Sequence, residues 1–203
     1  METIVTLVLA VLFAALMTFL GMFLYLFVRK TEHAGGLRGA LRAWRREFCT
    51  SAAFRRCCLL VFYTAIVLHV TLLGRDFYES PLDSVMGEWW FYEDEDGFIS
   101  PRWLENIFML LPFTFLLLWN FGDRLLRKPT MGSAVWLGTK AACLFSLGIE
   151  TLQLFLHVGT FQLSDLFYNT LGGLLGSLLV WPLLRRELQS PGEGPETQHT
   201  ACD

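Results

Sequence analysis

Residues 4–28 read IVTLVLAVLFAALMTFLGMFLYLFV, with no Asp, Glu, Lys or Arg among them. A hydrocarbon core about 30 Å thick is crossed by roughly 20 apolar residues in helical form. This run exceeds that length, and it has no polar face for a soluble bundle to turn to water. Its leading flank, Met1-Glu2-Thr3, holds no basic residue, and Arg29-Lys30 follow it. A cleaved signal peptide has the opposite charge order and a shorter apolar core, so the stretch reads as a membrane anchor.

Four further apolar runs follow, at about Cys58–Gly74, Leu104–Phe121, Ala134–His157 and Leu163–Leu184. The second and third spans lie near the short limit for a crossing. The expected fold is all-α, a polytopic membrane bundle of about five transmembrane helices. A mean hydropathy of +0.45 and 54% hydrophobic residues exclude an ordinary soluble domain of 203 residues. The last stretch, Ser190–Asp203, is rich in Pro, Gly, Glu and Thr and reads as a short disordered end.

The charges are segregated, and their distribution predicts orientation. Residues 29–57 carry Arg29, Lys30, Arg38, Arg42, Arg45, Arg46, Arg55 and Arg56, which places that loop in the cytoplasm. Residues 75–103 are acidic, with the run Glu93-Asp94-Glu95-Asp96, and belong outside. Arg124, Arg127 and Lys128 mark the next inner loop, and Arg185-Arg186 the last. All five spans then agree on N-out/C-in. In the first inner loop Leu37, Leu41, Trp44 and Phe48 recur at helical spacing beside Arg38, Arg42, Arg45 and Arg46. That pattern predicts an amphipathic helix on anionic lipid, with a mobile basic linker as the alternative. Trp89-Trp90-Phe91-Tyr92 suggests an aromatic segment at the outer interface. Cys49, Cys57, Cys58, Cys143 and Cys202 face no oxidising space, so no disulfide is expected. No Cys/His spacing supports a metal, and no fingerprint calls for a cofactor or a nucleic acid.

The polar residues within the spans are the most informative. An ionisable side chain at the centre of a span costs about 2.5–3.5 kcal/mol on insertion scales. Here they gather at one depth, near the outer boundary. The third span opens with Glu105-Asn106. The fourth carries Ser146, Glu150 and Gln153 at spacings of four and three, on one face. The fifth opens with Asp165 and Asn169. The second ends with Thr71 and Arg75, with His69 a turn deeper. These groups form a candidate outward polar pocket: Arg75, Glu105, Asn106, Ser146, Glu150, Gln153, Asp165 and Asn169. Two readings remain open, a site for a ligand or substrate and a network that locks helices together. Beyond Asn169, Gly172 with Gly176 and Gly173 with Ser177 make two interleaved small-xxx-small pairs that predict close helix packing, and an oligomer is compatible with them. Pro112 in the third span predicts a kink, with two readings open: it opens a polar cavity toward the outside, or it merely accommodates packing.

Together, Glu105-Asn106-Ile107-Phe108, Pro112-Phe113, Ser146, Ile149-Glu150, Gln153 and the segment Asp165 to Asn169 with Gly172, Gly173 and Gly176 resemble the VanZ-like family. The resemblance runs from about Tyr63 to Leu184, with Thr71, Leu72 and Arg75 matching the end of an early helix. It implies a glycopeptide-resistance type of membrane protein, of the kind linked to teicoplanin, acting at the cell envelope in a bacterial plasma membrane. The expected partners are membrane lipids and an envelope lipid or cell-wall precursor. The chain departs from the family pattern in two places. The Arg usual shortly before the Asp motif is missing near Val158 and Gly159, which turns Arg75 into the expected partner of Asp165, and Thr114 stands where a Gly usually follows Pro-Phe. The expected organisation is an anchor over 1–30, a basic amphipathic segment over 31–57, a VanZ-like four-helix domain over 58–186 and a tail over 187–203. An enzyme that uses Glu150 and Asp165 as acid and base on an envelope lipid is the second functional expectation.

Overall fold

The structure is a computed structural model that describes residues 2–29, 36–75, 77–90, 101–126 and 130–189. Among these residues it contains six α-helices: α1 (Glu2–Arg29), α2 (Gly36–Thr50), α3 (Ala52–Leu68), α4 (Arg102–Leu125), α5 (Met131–Leu156) and α6 (Leu163–Gln189). A π-helical turn, His69–Leu73, extends α3. Five helical segments are long and apolar enough to cross a membrane: Val5–Val28, Ala52–Leu73, Arg102–Leu125, Met131–Leu156 and Leu163–Glu187. The second and third reach well past their apolar runs. Arg55-Arg56 at one helix, and Arg102 and Arg124 at the other, continue the helix beyond the greasy stretch, since arginine is a good helix former. The acidic run Glu93–Asp96, the Phe91-Tyr92 pair and the tail from Ser190 lie outside the described residues.

The described residues divide into two compact units, one within Met1–Ile66 and one over Val67–Gln189. In the first, Met22 and Leu26 of α1 pack on Phe54 and Cys58 of α3, with Trp44 of α2 against them. The elbow between α2 and α3 is fixed by polar groups. Ser51 Oγ accepts the backbone N–H of Phe54 at 3.2 Å, and Arg55 Nη1 donates to the Phe48 and Cys49 carbonyls at 3.1 and 2.9 Å. These bonds satisfy groups that a helix end otherwise leaves open.

In the second unit α6 packs against both α4 and α5. One end of its core is apolar: Leu118, Leu126, Ala134, Val180 and Leu184, flanked by Phe115, Trp119, Leu137 and Trp181. Thr130 and Ser133 form a reciprocal capping box that starts α5. Halfway along α6 the two small-residue pairs serve two neighbours. A methyl group on Gly172 or Gly176 would overlap the Ile107 or Leu111 carbonyl of α4. One on Gly173 would meet Ala142 of α5, and Ser177 Oγ occupies the space a Cβ on Gly138 of α5 would need. Close approach of backbones is what such residues permit, and both pairs spend it inside this chain. Pro112 is tolerated without interrupting α4, and Pro182, at an exposed position, likewise lies inside α6. Beside Pro112, Phe113 is stacked on Phe145 of α5 at 4.4 Å.

Candidate functional site: a polar layer at the loop end of the second unit

The opposite end of this unit carries residues 74–75 and 77–90 and the α5–α6 connection. The two are stitched by backbone bonds: Tyr78 N–H to the His157 carbonyl (2.8 Å), Phe161 N–H to Pro81 (2.9 Å) and Leu163 N–H to Val85 (2.8 Å). His157 ends α5 in the left-handed region at φ 55°, ψ 38°, with the Phe77 ring stacked on its imidazole at 5.8 Å. Gly159 has φ +84°, a conformation only glycine adopts without strain.

Glu150 is 2% exposed, and its Oε2 accepts the backbone N–H of Gln162 at 2.8 Å. Gln162 immediately precedes α6, and its carbonyl accepts the first helical bond, from Leu166. In a capping box the N–H at this position is bound by an acidic side chain three residues on. Here that residue is Asp165, which turns elsewhere, and Glu150 supplies the carboxylate from the neighbouring helix. The positive end of the α6 dipole favours an anion at this spot.

Asp165 Oδ1 accepts from Asn106 Nδ2 at 2.6 Å, which ties the first turn of α6 to the first turn of α4. Asn169 Nδ2 donates to Ser146 Oγ at 3.0 Å, between α6 and α5. Gln153, 1% exposed, donates through Nε2 to the Thr71 carbonyl of the π-turn at 2.8 Å. That carbonyl stands at a helix end, where the helix itself offers no partner. π-helical turns recur at functional sites.

Arg75 is exposed, and its aliphatic stem and guanidinium lie across Gly159, with Cδ and Nη1 3.1 and 3.2 Å from where a Cβ would stand. From there it acts electrostatically on both Glu150 and Asp165. The direct hydrogen-bond partner of Asp165 is therefore Asn106, and Arg75 serves the two carboxylates at longer range. The cation missing from the 158–159 region is supplied in space by Arg75, over a glycine that leaves room for it.

Of the eight predicted residues, seven join this layer. Glu105 does not: it is exposed on α4, while its neighbour Asn106 turns inward. Asp165 and Asn169, expected on one face, divide between α4 and α5. The glycines below them divide the same way, with Gly172 and Gly176 toward α4 and Gly173 toward α5.

Three buried polar atoms in the layer have no hydrogen-bond partner: Gln153 Oε1, Asn169 Oδ1 and Ser164 Oγ. The Thr71 carbonyl can only accept, so it fixes the nitrogen of the Gln153 amide and turns Oε1 away. Buried atoms of this kind ordinarily hold a water or a ligand.

Several members were not predicted from sequence. Ser164 is 0% exposed, and a Cβ on Gly87 would overlap its Oγ. Tyr168 is buried under Trp89 and Trp103, and its hydroxyl accepts the Trp90 N–H at 2.8 Å. Trp89 is thus an anchor onto α6, while Trp90 is 59% exposed. Arg102 pairs with Glu88 at 2.8 Å on the rim.

Five membrane-capable helical segments, four of which contribute groups to one buried polar layer, define a polytopic helical membrane protein. The chain belongs to the VanZ/LLP1 family, whose model matches residues 58–185. Comparison with curated proteins and with solved structures gave no match.

Proposed function

We propose that the polar layer faces the outside of a bacterial plasma membrane and recognises a lipid-linked envelope component, so that the protein lowers susceptibility to teicoplanin-type glycopeptides. The observation that carries this reading is the set of orphaned acceptors, Gln153 Oε1 and Asn169 Oδ1, flanking Glu150 at the end where Arg75 is open to solvent. A purely structural network has every member satisfied, since each unpaired buried polar group costs about 1–3 kcal/mol. Unmet acceptors next to an accessible guanidinium suit a ligand that brings both hydrogen-bond donors and an anionic group. Family membership supports the same reading.

The test is binding of a labelled lipoglycopeptide to cells that express the protein, against cells with an empty vector. Reduced binding with raised resistance supports the proposal. Unchanged binding and unchanged susceptibility contradict it.

A second reading, an intramembrane enzyme acting on an envelope lipid or cell-wall precursor, is favoured by the buried Glu150 carboxyl on the Gln162 N–H at the start of α6, whose first turn also carries the unpartnered Ser164 hydroxyl. In it Glu150 or Asp165 is the acid or base and Arg75 holds an anionic group. Its test is a comparison of lipid and muropeptide profiles between wild type, Glu150→Gln and Asp165→Asn at equal expression. Identical profiles remove it.

A further inference from the structure

Helix α2 leaves an apolar strip uncovered, and its neighbours on the helix surface say what covers it. Trp44 is half-buried, edge-on to Phe19 of α1 at 5.2 Å and to Phe54 of α3 at 6.4 Å, and so holds α2 to the rest of the first unit. Leu37, Leu41 and Phe48 share the Trp44 side of the helix yet remain 71%, 50% and 40% exposed. On a helix of 3.6 residues per turn they form one line. Arg38, Arg42, Arg45 and Arg46 follow directly on the next sector, and all four are exposed. Around α2 the order is therefore a side packed in the unit, an open apolar strip, and a guanidinium stripe.

We propose that this strip docks into the interface of an anionic phospholipid bilayer, with Leu37, Leu41 and Phe48 among the upper acyl chains and the four arginines on lipid phosphates. Helices with a large apolar–basic asymmetry and low overall hydrophobicity lie in the interface plane. The adjoining α1 is itself membrane-capable, so the bilayer is within reach of the strip. Arginine presents a planar fork of donors matched to phosphate oxygens. A soluble partner would have to match a strip and a charge stripe at this height beside a membrane helix, whereas a headgroup layer over acyl chains offers both without further fitting. The docking is independent of the loop-end site in the second unit.

The test uses the full chain in nanodiscs that mix phosphatidylcholine with a minority of phosphatidylglycerol. Lipid retained after detergent extraction is counted by mass spectrometry. The wild type is expected to hold phosphatidylglycerol enriched at least about fivefold over its bulk fraction, as basic side chains at a charged surface support. The variant Arg38→Gln/Arg42→Gln/Arg45→Gln/Arg46→Gln is expected to return to the bulk ratio, because exposed arginines are replaced and the packed side of α2 is untouched. A fluorophore on Leu41→Cys, in a chain whose native cysteines are serine, is expected to be quenched by lipids brominated high on their chains. Retention at the bulk ratio by wild type overturns the proposal and points to an acidic protein segment on the strip. Enrichment that survives in the quadruple variant, or an unquenched fluorophore, overturns it as well.

Discussion

Glu150, near the end of α5, accepts the backbone N–H of Gln162, the residue that opens α6, at 2.8 Å. The carboxylate of one helix thereby closes the N-terminus of the next, across a tight connection held by His157 and Gly159 in left-handed conformations. Replacing Glu150 by Gln keeps an acceptor oxygen of the same reach. Replacing it by Ala leaves a buried N–H with no partner. Glu150→Ala is expected to lower stability by about 1–3 kcal/mol, and Glu150→Gln by clearly less. Thermal unfolding in detergent checks this, and equal losses from both variants would contradict the capping role.

The Asn106–Asp165 contact joins α4 to α6 at 2.6 Å. A double-mutant cycle with Asn106→Ala and Asp165→Ala is expected to give a coupling of about 0.6 kcal/mol, the average for hydrogen bonds between membrane helices, and no more than about 1.7 kcal/mol. The same cycle between Glu105 and Asp165 is expected to give none, because Glu105 is exposed and takes no part in the layer.

Gly172 and Gly176 lie against the Ile107 and Leu111 carbonyls of α4, with no room for a methyl group. Gly172→Ala and Gly176→Ala are each expected to destabilise by about 1–3 kcal/mol, as overpacking of a tight contact does. Gly148, also in a membrane-capable helix, has nothing within 4 Å of where a Cβ would stand. Gly148→Ala is therefore expected to be neutral or to stabilise by up to about 1 kcal/mol through helix propensity. Melting temperatures of the three variants in one detergent decide this.

Much of this was legible in the residues. The five spans follow from apolar runs, because a bilayer demands them. Ser146, Glu150 and Gln153 share a face because helical spacing requires it, and the small pairs on α6 announced close packing. What was not legible is which partner each group takes. Gln153 meets the Thr71 carbonyl and Glu150 the Gln162 N–H, and backbone groups leave no trace in a sequence because every residue has them. Spacing alone also could not separate Asp165 from Asn169. Four residues is slightly more than one turn, and that small rotation sends one side chain to α4 and the other to α5. Pro112 lies within a continuous α4, because the backbone group a proline leaves unpaired is tolerated when neighbours pack around it. Ser164 gave a weak signal in standing next to Asp165, and Gly159 another as the glycine of a short connection.

The proposed orientation predicts a labelling asymmetry. A membrane-impermeant maleimide is expected to modify Ser80→Cys, exposed at the loop end, in intact cells. The exposed native Cys49 on α2 is expected to react only after the cells are opened. The reverse pattern would place the polar layer on the wrong side for an envelope ligand.

Glycopeptide susceptibility of cells expressing Glu150→Gln, at membrane levels matched to wild type, tests most directly that the polar layer carries the function. The variant keeps the acceptor that caps α6 and removes the ionisable carboxyl group beside the orphaned Gln153 and Asn169 oxygens. Susceptibility equal to that of empty-vector cells, with wild type protective and both proteins equally stable, is the predicted result. Full protection by Glu150→Gln would contradict it.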